Sequence, residues 1–150
     1  MARWILTLGI LWVAAGLAAP ARGGGVGVPL VQRGGALVVE ATLNERFTGR
    51  FLLDTGATYC VVSREVARRA GLKGRAGGRR VRLLTASGPV RAVLARARRV
   101  AVGEATARDV LVAVTRHPPV HGLDGILGLS FLGRFAYTVD AESGVLRLER

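Results

Sequence analysis

The sequence predicts an all-β domain carrying one or two short helices, and three observations support that class. Apolar residues come in short runs of roughly four to eight, bounded by Gly, Asn, Ser and Pro clusters, which is the pattern of strands rather than of long helices. Several of these runs are joined in pairs by short, small or polar connections suited to hairpins. One segment alone, following Ser63, carries the start and stop residues of a helix.

Taken in order, residues 36–43 and 46–53 read as two strands around Asn44-Glu45, a natural two-residue connection. The second delivers Asp54. Residues 59–62 form a short strand, after which Ser63 caps a brief helix through Ala70. Glu65 lies near the positive end of that helix, Arg68 and Arg69 near its negative end, and Gly71 stands where a terminating glycine belongs. Residues 81–85 and 90–97 enclose Ala86-Ser87-Gly88-Pro89, a small polar tip able to lie over a ligand and move. Residues 99–102 and 108–115 enclose Gly103-Glu104-Ala105-Thr106 as a third hairpin. A loop over 117–124 leads into the apolar run 125–132, and residues 136–140 and 145–149 form a terminal pair around 141–144. No repeat at a solenoid period is present.

With 150 residues, half of them hydrophobic, the chain suffices for one domain with a core, here placed at 36–150. A positive start, the uncharged stretch 4–19 and a small-residue exit at Ala19-Pro20-Ala21 mark residues 1–21 as a signal peptide cut after Ala21, or as an uncleaved N-terminal membrane anchor. The stretch is slightly short of the roughly 17–25 residues of a membrane span. Residues 22–35 read as a glycine-rich linker and N-terminal segment. Export to the periplasm, free or membrane-anchored, is the resulting expectation.

A formal net charge of +12 would ordinarily raise nucleic-acid binding. Yet all but one of the 22 basic residues are arginines spread along the chain, a bias that with abundant Ala, Gly and Val fits a high-GC bacterial coding sequence. Aromatics that could stack a base are scarce. No nucleic-acid partner is expected. Cys60 is the only cysteine, so no intrachain disulfide exists, and its apolar neighbours favour a buried thiol. His117 and His121 are separated by Pro118-Pro119, which exclude a helix placing both on one face, and no metal site is expected there.

The residue that demands an explanation is Asp54. It follows Phe51-Leu52-Leu53 and would cost several kcal/mol if buried unpaired. Thr55 and Gly56 supply a hydroxyl and a permissive backbone, so a tight loop presenting the acid at a strand end is expected. On those residues alone, a plain turn accounts for the tripeptide.

The chain as a whole resembles the retropepsin-like aspartic proteases, in particular single-domain bacterial members with an N-terminal signal or anchor. The matching pieces are Leu52-Leu53-Asp54-Thr55-Gly56-Ala57-Thr58, the Val61-Val62-Ser63 strand with its helix, the hairpin around residues 86–89, and Gly125-Ile126-Leu127-Gly128 about seventy residues later. The resemblance implies an acid-protease half-barrel that works as a homodimer. It implies that Asp54 is catalytic, that Thr55 and Gly56 support its loop, and that Ile126-Leu127-Gly128 packs behind it. Ala57, Ala86, Ser87, Gly88, Ile126 and Leu127 would meet an extended peptide substrate. No cofactor is implied. The Arg- and Gly-rich stretch 72–80 and a flap without multiple glycines depart from the viral pattern.

Peptide hydrolysis of this kind needs two carboxylates around one water. Asp109, Asp124 and Asp140 lack a following Thr-Gly, so the second carboxylate is expected to be Asp54 of another copy. The function expected is an aspartic endopeptidase. The alternative is a non-catalytic module of the same fold that dimerises and binds peptides.

Overall fold

A computed structural model of the chain describes residues 25–72 and 78–150. The expected signal or anchor segment lies outside the described residues, as does most of the basic, glycine-rich stretch after Leu72. Among the described residues no helix is long and apolar enough to cross a membrane.

Two strands lie inside the stretch read as a linker. β1 (Val26–Pro29) and β2 (Val31–Arg33) precede the expected first strand. Glycine did not prevent β1, because Val26 and Val28 find Leu148 and Leu146 as antiparallel partners and Val28 is buried there. β3 (Ala36–Leu43) and β4 (Phe47–Leu53) follow as an antiparallel pair. Their turn is one residue longer than expected, since Leu43 pairs with Phe47 and leaves Asn44, Glu45 and Arg46 between them, with Asn44 and Glu45 in the left-handed region at φ of 50° and 61°. Asn44 is itself buried. Its side chain donates to the Ala70 carbonyl at 3.1 Å and accepts from the Arg99 amide at 3.2 Å, tying the turn to the helix end and to a third strand.

β5 (Cys60–Ser63) runs directly into α1 (Arg64–Arg69), whose first turn is capped by Ser63 Oγ accepting from the Val66 amide at 3.2 Å. Gly71, at φ of 62°, ends it. β6 (Arg80–Thr85) then pairs with β7 (Gly88–Val102), and β7 with β8 (Ala105–Thr115). The two strands expected at 90–97 and 99–102 are one fifteen-residue strand. Its inward face switches midway, from Ala95 and Ala97 to Val100 and Val102. β8 switches alongside, from Ala105 and Ala107 to Val110 and Val112. The ladder skips Arg98 and Asp109 at that point, where Asp109 takes φ of 54°. One left-handed residue thus turns both strands over without changing register, and the break in alternation read as a strand end.

β9 (Gly125–Leu127), α2 (Leu129–Leu132), β10 (Ala136–Asp140) and β11 (Val145–Glu149) complete the chain. β10, β11 and β1 make a small antiparallel sheet. In the large sheet the order is β2-β3-β4-β9-β5-β8-β7-β6, and β3 also pairs with β7 through Thr42 and Leu43. That contact closes six strands into a barrel, leaving β6 and the tip of β7 as a projecting arm. The barrel interior holds Val39, Leu43, Phe51, Val62, Val100, Val110, Leu127, Phe131 and Leu132, all essentially inaccessible. Each such aliphatic or aromatic side chain contributes about 1.5–3 kcal/mol on burial.

Candidate active site

Asp54 sits where β4 leaves the barrel. Its carboxylate is half-exposed, so the desolvation problem posed by the preceding apolar run does not arise. Oδ1 accepts from the Gly56 amide at 2.8 Å, and the Asp54 carbonyl accepts from the Ala57 amide at 3.3 Å, closing the loop on itself. The Asp54 amide donates to the Leu127 carbonyl at 3.1 Å, which fixes the acid relative to β9.

β9 is the seat of the loop. It lies parallel to β4, with Leu53 beside Leu127, and antiparallel to β5, with Val61 beside Ile126. Wedging a strand between two others joined by a six-residue loop demands small residues. A Cβ on Gly125 would meet the Phe51 ring at 2.5 Å and the Val61 carbonyl at 2.6 Å. A Cβ on Gly128 would meet the Tyr59 and Ala57 carbonyls at 2.3 and 2.6 Å. The Leu129 amide donates to the Ala57 carbonyl at 2.8 Å, so α2 grips the same loop. Ser130 adds a second grip. Its hydroxyl accepts from the Cys60 amide at 2.9 Å and donates to the Leu111 carbonyl at 2.7 Å. Cys60 is buried beneath, and burial pushes its thiol up from its usual range.

A groove of about 810 Å³ opens above the loop. Of the residues expected to meet substrate, Ala57, Ala86, Ser87 and Ile126 line it together with Asp54 and Gly56. Gly88 and Leu127 do not. Leu127 is 1% exposed and turns into the barrel, so its part is played by the backbone carbonyl that holds Asp54. Gly88 takes φ of 106° and closes a two-residue tip, Ala86-Ser87, shorter than the four residues expected. Thr85 Oγ1 donates to its carbonyl at 2.6 Å. Thr55 is exposed, and among the described residues its hydroxyl meets no partner.

Sequence reasoning missed other walls. Tyr59 and Val61 on one side, Arg82, Leu83, Leu84 and Val90 on the arm, and His117, Pro118 and Pro119 opposite all contribute. The Pro-Pro pair signalled a stiff loop but not its position. That loop is anchored by the buried Thr115, whose hydroxyl reaches the His117 carbonyl at 2.7 Å. Among the described residues no group of three or more His, Cys, Asp or Glu side chains gathers as a metal site.

No second carboxylate reaches the groove. All ten acidic residues lie within the described segments, and Asp54 alone lines it. Asp124 Oδ2 accepts from the Arg50 amide at 2.8 Å, extending the β4–β9 seam. Asp109 is at the strand switch. Asp140 is in the β10–β11 turn, where hydrogen bonds from the Ser143 hydroxyl and amide hold its carboxyl below the usual carboxylate range.

This arrangement of loop, seat and arm is what comparison with known proteins meets. Residues 39–131, more than half of the chain and spanning the Asp54 loop, β9 and most of α2, match the family model described as aspartyl protease. The chain belongs to the aspartyl protease family. Among solved structures it is similar to a retropepsin-like aspartic protease from Rickettsia conorii, with a TM-score of 0.62 and 24% identity over 83% of this chain and 89% of that one. That likeness shows the fold, a retropepsin-like barrel that is mostly strand. No curated sequence gives a significant match.

Alone, one half-exposed carboxylate can orient a water and accept its proton. It offers nothing to polarise the carbonyl that the water would attack.

Proposed function

We propose that the protein is an aspartic endopeptidase whose working unit is a homodimer, with Asp54 of each copy facing the other across a two-fold axis. The observation that carries this reading is the groove itself. It presents one acid on a rigidly seated loop, and every other carboxylate of the chain is elsewhere.

In the dimer two carboxylates share one water. One takes its proton as the oxygen attacks, and the other, protonated, donates to the scissile carbonyl. Two such groups in contact cannot both ionise cheaply, so they share a proton and titrate as a coupled pair, as aspartic-protease dyads do generally. Activity is then highest somewhat below neutral pH. In this reading Thr55 bonds to the partner's loop, which gives a role to a hydroxyl that meets no partner among the described residues. Substrate lies extended under the arm, its main chain hydrogen-bonded and its side chains in the apolar walls. Export, with the N-terminal segment cleaved or retained as an anchor, is part of the same reading.

The test is cleavage of a diverse peptide library between mildly acidic and neutral pH by the protein and by Asp54→Asn, with sedimentation in the same buffers. Cleavage that tracks the dimer and disappears in the variant is the expected result. A well-formed dimer that binds peptides and cuts none would overturn the enzymatic reading.

A further inference from the structure

The arm has a free edge. β6 pairs with β7 on one side, and among the described residues nothing pairs with it on the other, where the groove runs. An extended chain laid along that edge would continue the sheet, with its side chains directly beside those of β6 on each face. The two faces of β6 differ. Val81 and Leu83 turn inward and pack with Tyr59, Leu94 and Ile126 against Val61, Ala92 and Ala113. Arg80, Arg82 and Leu84 alternate with them and are exposed, Leu84 to 87%.

On the exposed face Arg82 stands directly opposite Arg91 of β7. Like charges directly opposite one another in a sheet are destabilising, and neither arginine has a carboxylate to relieve it. The ion pair found among the described residues is Arg99 with Glu45, away from the arm. Arg82 also lines the groove, where the only carboxylate belongs to Asp54. A strand added at the free edge would place one residue in the row Arg91–Arg82, on the side that is open. The residue two positions along it would lie beside Leu84, and the residue between them would face Leu83 and the apolar floor.

We propose that the groove selects extended peptides bearing an acidic side chain beside Arg82 and a large apolar side chain two residues away beside Leu84. This rests on the groove being a peptide cleft, and it adds a charge rule to the apolar selectivity of the walls. Arg82 is the specificity-determining residue, and Arg91 reinforces it from the far side. An opposite-charge cross-strand pair corresponds to about a two- to fivefold preference, sensitive to salt because both partners are near water.

The test uses fluorescein-labelled peptides identical except for Glu, Gln or Lys at one position, with an apolar residue two positions on. Binding is measured by anisotropy to the full-length Asp54→Asn protein, which separates recognition from turnover. The Glu peptide is expected to bind about two- to fivefold tighter than Gln, with Lys weakest. Adding Arg82→Glu should reverse the order, and Arg82→Gln should level it. Arg108→Gln, an exposed charge of β8 outside the groove, should leave it intact. Equal binding of Glu and Lys peptides, an order that survives Arg82→Glu, or no binding at all would overturn the proposal. Turnover by the unmutated protein is then read separately. Ordered binding with no cleavage leaves the charge rule standing and sinks the protease reading, whereas cleavage indifferent to charge does the reverse.

Discussion

Replacing Gly128 with alanine probes how firmly the loop after Asp54 is seated. The backbone there is ordinary and extended, with φ of −107° and ψ of −172°, so alanine meets no torsional objection and the cost is steric. The added Cβ would lie 2.3 Å from the Tyr59 carbonyl oxygen, and such contacts essentially never fall below 3.0 Å, so that oxygen must retreat by roughly 0.7 Å. It belongs to a backbone held on both sides, by the Leu129 amide on Ala57 and by Ser130 on the Cys60 amide. Overpacking of this kind costs about 1–3 kcal/mol, which lowers a urea midpoint by about 0.5–1.5 M at a slope near 2 kcal/mol/M. Because the same segment positions Asp54, activity measured where the variant is folded should also drop, by roughly ten- to a hundredfold. Urea unfolding followed by circular dichroism and peptide cleavage at low urea together check this. A wild-type midpoint would refute the steric argument. A lowered midpoint with undiminished cleavage would refute the link from Gly128 to Asp54.

Ser130→Ala strips the hydroxyl that serves the Cys60 amide and the Leu111 carbonyl, and should cost about 1–3 kcal/mol in urea unfolding through those two orphaned groups. Asn44→Ala loses both the turn conformation and the bonds to Ala70 and Arg99, whereas Asn44→Gly keeps the turn. The alanine variant should therefore be the less stable by about 1 kcal/mol, and equal stabilities would show that φ at 44 does not matter. Cys60 should resist iodoacetamide in the native protein and react fully in denaturant, as mass spectrometry would show. Its thiol pKa is raised by folding, so its contribution is complete below the unfolded thiol value, about 8.5, and is lost as pH rises through the folded value. Stability should fall in that alkaline window, and Cys60→Ala should remove that part of the slope.

The parts legible in the sequence were those settled by neighbours in the chain. Asn44-Glu45 made its hairpin, Ser63 and Gly71 bounded α1, and Asp54-Thr55-Gly56 made a loop at a strand end. What was not legible depended on partners far away. Val26 and Val28 are strand residues because Leu148 and Leu146 are opposite them, and no local signal in a glycine-rich stretch announces that. Asp109 looks ordinary until its left-handed φ explains why two strands change faces together. Arg82 read as one arginine among many, and its meaning comes from Arg91 across the ladder and the groove beside it. Leu127 was expected on the groove wall, but the barrel interior takes its side chain and only its carbonyl faces the loop.

The position of β9 between β4 and β5 also sets when the site can exist. β4 and β5 are neighbours in the chain but are joined in the sheet only through a strand made much later, so Asp54 has no carbonyl to hold its amide until Leu127 arrives. At about 5–20 residues per second of synthesis, Asp54 waits several seconds for its seat, and the distant contact is slow to form in any case. A nascent chain therefore carries the acid without the geometry. Whatever chemistry Asp54 performs is withheld until synthesis has passed Leu127, and a chain truncated before residue 125 would never acquire it.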